Sequence, residues 1–400
     1  MQQTFLFRWI FNYYSVLCLN PYKEWSWKSL VRLLFGISRL ISFLQICYLI
    51  LLVLGVFRGI HGDMEVFGYI EAFLWIAASS FYGCSDYLFF SKTFRTNLEE
   101  LQNVMEKVLT SSDMEVVAER GNERFQIQFF TGEKKTIKLF LLFFVLDCFQ
   151  MKGLFVAFYD IVGDRMHLYS IFPWKSFTLQ VVDWMLESSN MSILILVISL
   201  MLVLPGTIAF YLEECLNQMT KLIRSNSFER KENIDSAQLL SIYQQIFFIA
   251  REVNKRLGMA IFFLHVIISL QQLSQTYCVF QLLRSGATYT DLEFFFVDIL
   301  LTIVRLAASF NALSVVDRAS SNFRMAIKNY TQKTHYSFSN NHKNPTSING
   351  SNMRRKFIER KARSLRNVSM NIGPCKCNRD LVLVGMSVYL NYYATAALWP

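Results

Sequence analysis

Charged side chains interrupt several of the long apolar runs in this 400-residue chain. Glu71, Lys152 and Asp298 each lie within a run that is long enough to cross a membrane. A charge at the centre of a bilayer is unfavourable by about 3 kcal/mol or more, so such residues usually line a wet cavity or pair with one another. The aromatic and amide side chains expected at a similar depth are Trp75, Tyr159, Gln272 and Gln275. Together these residues predict an outward-facing ligand pocket with aromatic walls, and a set of unrelated buried hydrogen bonds is the alternative.

Two arginines in the apolar runs favour structural roles. Arg39 lies near the start of the first run, where its long side chain can reach the aqueous boundary. Arg305 follows Asp298 by seven residues, which is two helical turns along one face. We therefore expect Asp298 and Arg305 each to be able to pair with a residue on a neighbouring helix.

The residue types that commonly perform catalysis or bind metals do not occur in recognisable arrangements. The five His show no metal-ligand spacing, and the sequence contains no glycine-rich phosphate loop. Cys375 and Cys377 have no second pair of Cys or His nearby, which favours two free thiols over a zinc site. We therefore predict no enzyme activity, no metal site and no cofactor.

The composition is typical of a helical membrane protein that crosses the bilayer several times. Hydrophobic residues make up 53% of the chain and charged residues only 18%. Seven apolar runs have the length needed to cross a membrane: Leu33–Phe57, Val66–Phe90, Ile137–Val162, Met191–Leu212, Gly258–Leu283, Leu292–Val316 and Leu381–Trp399. The predicted fold class is an all-α polytopic membrane protein with seven transmembrane helices.

The distribution of Lys and Arg predicts the orientation of these helices. The segments between the runs alternate, and one alternating set holds 32 of these residues while the other holds 4. Because positively charged segments stay in the cytosol, the N-terminus is predicted to be cytosolic and the C-terminus extracellular. The net charge of +10 is therefore a topology signal, and no nucleic-acid partner is expected.

The same pattern divides the chain into four regions. These are a cytosolic N-terminal segment (1–32), six transmembrane helices (33–316) with cytosolic helical extensions at 91–136 and 213–257, a cytosolic basic loop (317–380) disordered over 331–351, and a seventh transmembrane helix (381–399). Apolar residues recur at helical spacing in both extensions. The basic run Arg354–Arg363 in the loop is expected to lie near anionic membrane lipid.

The terminal run, Leu381–Trp399, has no charged residue but carries several hydroxyl and amide groups, among them Ser387 and Asn391. In hydrocarbon such groups need protein partners or water. We therefore expect this helix to pack centrally in the bundle or to line an aqueous path.

Two segments, together with this architecture, resemble those of a known family. Residues 249–277 enter and cross the fifth predicted helix, and the terminal run ends with Asn391-Tyr392, five further residues, Leu398 and Trp399. Both segments resemble insect gustatory receptors, whose seventh helix carries Thr-Tyr, five apolar residues, Gln and an aromatic residue. Tyr392 and Trp399 match this signature, whereas Asn391 stands at the Thr position and Leu398 at the Gln position.

The resemblance implies a ligand-gated, non-selective cation channel in the plasma membrane of chemosensory neurons. In that family four subunits assemble, small-molecule tastants (bitter or other contact chemicals) bind an outer pocket within the first six helices, and the seventh helices line the pore. By this resemblance Tyr392, Leu398 and Trp399 are pore residues, and the apolar Leu398 implies a constriction that gates by dewetting. The chain is then expected to form a homotetramer or a heterotetramer with another gustatory receptor.

Two other functions remain open from the sequence. A metabotropic seven-helix chemoreceptor has a similar helix count but the opposite expected orientation. A membrane transporter is the other alternative, although no internal repeat supports it.

Overall fold

The computed structural model describes the main helical part of the chain. The described residues are 115–117, 124–126, 130–161, 177–229, 236–284, 286, 289–339, 360–362 and 364–377, with the helical positions 40, 43, 44, 47, 50, 96, 97, 99–101, 103, 387 and 391. Side chains are described for most of these positions.

Four long helices dominate the described residues: α1 (Phe130–Ile161), α2 (Phe177–Glu229), α3 (Ser236–Arg284) and α4 (Tyr289–Ser339). The last three contain 53, 49 and 51 residues. At about 1.5 Å per residue each is more than twice as long as a hydrocarbon core of about 30 Å is thick. A membrane can therefore enclose only part of each helix, and α3 runs unbroken from the second half of the predicted extension 213–257 through the fifth predicted span.

Local sequence signals explain how α3 ends and α4 begins. Arg284 lies in the last turn of α3, where a positive charge is favourable near the exposed carbonyl groups. Gly286 follows with a φ of 82°, and its N–H donates to the carbonyl of Leu283 at 3.2 Å. Glycine adopts this left-handed conformation without a steric penalty and so terminates the helix. The short connection that follows makes α3 and α4 neighbours.

Helix α2 continues without a break through Pro205 and Gly206, two helix-disfavouring residues within the fourth predicted span. Proline removes one backbone hydrogen bond from a helix interior. Gly206 allows a close approach of three helices, since a Cβ there would lie 2.7 Å from Leu139 Cδ2 of α1 and 3.3 Å from the Cβ of Ala312 on α4. The missing side chain thus fixes where α1, α2 and α4 converge.

Helix α2 lies between α1 and α4 and packs along both, and α3 packs against α4 and less extensively against α2. The core contains fully buried side chains from all four helices, including Phe143, Leu202, Leu212 and Phe323. On the outer face of α1, Leu141, Phe144 and Phe149 are each more than half exposed, which suits contact with hydrocarbon.

Within the described part of the chain, Phe296–Tyr330 is the one helical segment whose length and hydropathy suffice to cross a membrane. It contains all but the first four residues of the sixth predicted span and continues beyond that span. It is half buried inside the protein.

Two small hairpins differ from the all-α expectation. Strands β1 (Glu115–Val117) and β2 (Arg124–Gln126) pair antiparallel within the region 91–136, which was expected to be helical. The turn dipeptide Gly121-Asn122 lies between these strands in the sequence, and such a dipeptide favours a hairpin. Strands β3 (Asn371–Ile372) and β4 (Cys375–Lys376) pair in the same way near the terminal run.

Two more expectations are affected by the observed bounds. Helix α4 continues to Ser339, so residues 331–339 are helical although 331–351 was expected to be disordered. Extending an existing helix needs no new nucleation, which allows a polar segment to follow an apolar one. The first, second and seventh predicted spans lie outside the described residues apart from isolated helical positions, so the count of seven stays a prediction.

Candidate functional site

A cluster of buried polar side chains joins three helices in the middle of the bundle. Arg305 of α4 donates from Nη2 to Asp147 Oδ1 of α1 at 2.5 Å and from Nη1 to Gln150 Oε1 at 2.8 Å. Ser199 of α2 donates its hydroxyl to the same Asp147 oxygen at 2.6 Å. The side chains of Arg305 and Asp147 are each only 4% exposed. We call these four residues the polar cluster.

Helical spacing explains how α1 contributes two acceptors to the polar cluster. Asp147 and Gln150 are three residues apart and therefore lie on one face of α1. Arg305 has a planar group with several N–H donors in fixed directions, so it can bind a carboxylate and an amide oxygen at the same time. Removing one partner from such a buried pair leaves an uncompensated charge, which is unfavourable by about 3–5 kcal/mol.

The face of α4 that carries Arg305 also carries Thr302 and Asp298, one and two turns nearer its N-terminus. All three side chains are almost fully buried. Among the described residues, neither Thr302 Oγ1 nor Arg305 Nε has a hydrogen-bond partner within the protein. Buried polar atoms of this kind are normally satisfied by ordered water or by a bound molecule.

Helix α3 supplies polar groups next to this face. Gln272 donates from Nε2 to the carbonyl of Ile299 at 3.2 Å, and Ile299 is the residue after Asp298. Thr276, one turn further along α3, donates to the carbonyl of Gln272 at 2.8 Å. Gln272 and Thr276 are both buried, so the interface between α3 and α4 is polar where it reaches Asp298.

The structure places only some of the predicted pocket residues. Gln272 and Asp298 lie together at the buried interface of α3 and α4. Lys152, Tyr159 and Gln275 lie on the helices α1 and α3 at positions whose side chains are not described. Glu71 and Trp75 lie outside the described residues, as do the predicted pore residues Tyr392, Leu398 and Trp399. The predicted pocket and pore therefore remain predictions.

Sequence reasoning found Arg305 but not its partners Asp147, Gln150 and Ser199. A signal for Asp147 existed, since it is a carboxylate in the middle of the third apolar run, three residues before an amide. The sequence assigned no particular partner to Arg305, because nothing in it decides which helices touch. Only the packing of α4 against α1 selects Asp147.

A third buried polar residue on α3, His265, has an intrahelical partner. Its Nδ1 lies 2.7 Å from the carbonyl of Ile261, and its Nε2 lies 3.4 Å from Ser309 Oγ. Its ring also packs against Phe310 with centroids 4.8 Å apart. No group of three potential metal ligands occurs among the residues that the structure describes, and His265 is a packed core side chain.

An apolar cleft between α2 and α3 is distinct from the polar cluster. Its lining residues are Met201, Leu204, Pro205, Leu257, Ala260, Ile261 and Leu264. Since these side chains offer no strong hydrogen-bonding group, the cleft cannot orient a polar ligand.

Solved structures of known proteins have a fold similar to that of this chain. No protein-family model matches the sequence, and no curated protein matches it. Among solved structures, the insect olfactory receptor OR5 from Machilis hrabei is similar with a TM-score of 0.64 and 11% identity, over 99% of this chain and 99% of that chain. The same receptor in complex with eugenol is similar with a TM-score of 0.65 and 11% identity, over all of both chains. At this identity the likeness establishes the fold alone. The chain therefore has the all-α membrane fold of an insect chemoreceptor, and the family resemblance seen in the sequence is confirmed at the level of the fold.

Proposed function

We propose that the chain is a subunit of a ligand-gated cation channel that detects small molecules, of the gustatory class of insect chemoreceptors. The observation that carries this proposal is the likeness to the olfactory receptor OR5 over the full length of both chains. The gustatory class is supported by Tyr392 and Trp399, which match that family's seventh-helix signature. The channel resides in the plasma membrane of chemosensory cells and binds no nucleic acid.

The ligand site that we propose lies at the buried face of α4 that carries Thr302 and Arg305. It adjoins the polar cluster, since Arg305 belongs to both. Thr302 Oγ1 and Arg305 Nε can form hydrogen bonds there, and the buried apolar residues Ile299 and Leu306 lie nearby on the same helix. These features fit a small amphipathic molecule with one hydrogen-bonding group and a carbon skeleton. Eugenol, found in one OR5 structure, is a molecule of this type and is the first probe to use.

Gating follows from unequal affinity for two conformations. A ligand opens the channel only if it binds the open bundle more tightly than the closed one. A preference of about 5.5 kcal/mol suffices to convert a channel that is 1% open into one that is 99% open. In the tetramer the terminal runs of four subunits line the pore, where Leu398 forms an apolar constriction. A partner receptor with Gln at the equivalent position makes a heterotetramer more polar there.

Whole-cell recording of the chain, alone and with candidate partner receptors, tests the proposal with eugenol and a tastant panel. We expect a ligand-evoked cation current whose permeation changes in Leu398→Gln and whose amplitude falls in Tyr392→Ala. The proposal is wrong if no ligand evokes a current and both substitutions leave every measured signal unchanged.

The ligand site is tested separately with a matched pair of substitutions. Thr302→Val removes a hydroxyl that has no partner among the described residues, and the half-effective concentration of a ligand that binds it should rise about three- to tenfold. Thr207→Val is the control, because the Thr207 hydroxyl is buried but already donates to the Val203 carbonyl at 2.9 Å. Equal shifts in both variants would remove Thr302 from the ligand site.

A further inference from the structure

The segment Leu365–Cys377, which we call the strap, is held against the helical bundle along its whole length. It includes β3 and β4 and ends three residues before the terminal run begins at Leu381. Val368, Met370 and Ile372 alternate with more exposed residues, and each is at most 4% exposed. This period of two is typical of an extended chain with one face in the core. The strap is therefore part of the packed structure, although it lies in a basic loop of the sequence.

Helix α4 binds the strap mainly through Asn367. The Asn367 amide donates to Asp317 Oδ1 at 2.8 Å, and its oxygen accepts from Ser320 Oγ at 3.1 Å and from Arg324 Nη1 at 3.3 Å. Ser320 Oγ also accepts from the backbone N–H of Val368 at 2.8 Å. Both the N–H and the oxygen of the Asn367 amide therefore bond to α4, so this side chain serves packing.

Helix α3 binds the same strap from the other side. Asn254 donates to the carbonyl of Ser369 at 2.8 Å and accepts from the N–H of Asn371 at 2.7 Å, so its amide pairs with the strap backbone as a neighbouring strand would. Tyr243 donates its hydroxyl to the carbonyl of Arg366 at 2.7 Å. These contacts satisfy backbone groups that would otherwise be buried without partners.

The end of the strap is fixed just before the terminal run. Gly373 adopts a φ of 58°, its N–H donates to the Gly258 carbonyl at 2.9 Å, and a Cβ there would lie 2.9 Å from Phe262. Lys376 pairs with Asp317 at 2.6 Å, and the fully buried thiol of Cys377 lies 3.6 Å from the carbonyl of Phe310. Cys377, four positions before Leu381 in the sequence, is therefore held between α3 and α4.

The same two helices also carry the ligand site that we propose. On α4, Arg305 and Asp317 are twelve residues apart, or about 18 Å along the helix. On α3, Gln272 and Asn254 are eighteen residues apart, or about 27 Å. Packed helices move as stiff bodies, so a shift between α3 and α4 at one end reaches the strap at the other.

We infer that the strap couples the α3–α4 pair to the terminal run, with Asn367 and Asn254 as the positioning residues. The inference rests on the proposed function, since it requires that the terminal run lines a pore. A free linker of this length would let the terminal run move independently of α3 and α4. A clamped strap instead transmits their relative displacement directly to the pore wall.

Docking of the strap can be measured without any channel activity. Cys375 is exposed and Cys377 is buried, and tryptic cleavage after Lys376 places the two thiols on different peptides. Burial raises the pKa of the Cys377 thiol to about 12, with a further contribution from the charge of Asp317, so a docked Cys377 should not react with N-ethylmaleimide. Cys375 reacts in every variant and serves as the internal standard.

The decisive variant is Asn367→Ala, with Ser364→Ala as the matched control. Ser364 is exposed, precedes the strap and bonds only within its own turn, to the Lys361 carbonyl at 3.0 Å. In Asn367→Ala we expect labelling of Cys377 to become about tenfold faster while Cys375 is unchanged. Asn254→Ala provides the same test from α3 if Asn367→Ala does not reach the membrane. If Cys377 is labelled at an unchanged rate in both Asn367→Ala and Asn254→Ala, these two residues do not position the strap.

Current recordings then test the coupling. In Asn367→Ala and Asn254→Ala we expect the current evoked by eugenol, relative to the current without ligand, to fall about tenfold at equal surface expression. A variant that labels at Cys377 but gates like the unsubstituted channel overturns the coupling. If the unsubstituted chain carries no current at all, the proposed function and the gating part of the inference both fail, and the labelling result alone reports whether the strap is docked.

Discussion

Substitution of Asp147 by Ala is the most direct test of the polar cluster. It removes the only carboxylate bonded to Arg305 in the described residues and leaves that guanidinium with a single neutral acceptor, Gln150 Oε1. Arg305 is 4% exposed, so bulk solvent does not compensate the charge that Asp147 balances. Breaking a buried ion pair in this way lowers the free energy of unfolding by about 3–5 kcal/mol. This is a large fraction of the about 5–15 kcal/mol that typically stabilises a folded protein.

The control separates charge burial from the loss of packing. Gln150→Ala removes one hydrogen bond from Arg305 to a neutral acceptor and should lower the free energy of unfolding by only about 1–3 kcal/mol. The double variant Asp147→Leu with Arg305→Met removes both charges and keeps apolar volume, so it should be more stable than Asp147→Ala.

Thermal unfolding of the purified variants in one detergent, followed by the loss of the monodisperse chromatographic peak, provides the measurement. We expect the midpoint to fall most for Asp147→Ala, least for Gln150→Ala, and to recover in the double variant. The reasoning is refuted if Asp147→Ala unfolds at the same temperature as Gln150→Ala. It is equally refuted if the double variant is no more stable than Asp147→Ala, because the uncompensated charge would then not be the cause.

Three further predictions concern the strap and its surroundings. Gly373→Ala should lower the free energy of unfolding by about 1–2 kcal/mol, because a φ of 58° disfavours a Cβ and Phe262 lies 2.9 Å from where that atom would be. Thermal unfolding measures this, and an unchanged midpoint would contradict it. Tyr243→Phe keeps the ring that stacks on Phe323 but removes the hydrogen bonds of its hydroxyl to Ser320 and to the Arg366 carbonyl. The same assay should therefore show a free energy of unfolding lower by about 1–2 kcal/mol. Since burial raises the pKa of Cys377 to about 12, it should stay unalkylated from pH 7 to 9 while the exposed Cys375 reacts; equal alkylation rates would contradict its burial.

Much of the helical architecture could be predicted from the sequence. The apolar runs have a length that only a membrane or a large core can bury, and helical spacing continues beyond them. Three of the predicted spans therefore fall within α2, α3 and α4, and the resemblance to insect chemoreceptors is confirmed as a likeness of fold. The helix bounds were less predictable, because α4 extends to Ser339 through a polar segment that has no apolar period of its own.

The candidate site was predicted only in part. The sequence shows which polar and charged side chains lie within apolar runs, where burying them is energetically unfavourable. Gln272, Asp298 and Arg305 were singled out for that reason. It does not indicate their neighbours, since Asp147 and Arg305 are 158 positions apart in the chain. Which carboxylate meets which cation depends on the rotation and packing of whole helices.

The burial of the strap could not be predicted from the sequence either. Its alternating apolar residues are too few and too mixed with polar ones to predict burial, and the surrounding loop is strongly basic. Tertiary structure supplies what the segment lacks, because Asn254 and Ser320 satisfy its backbone while α3 and α4 cover its apolar face. The sequence alone thus predicted that this chain is built from long apolar helices, through local period and hydrophobicity. Only the packing of those helices decided which distant polar groups meet, because a hydrogen bond depends on positions in space that local sequence does not encode.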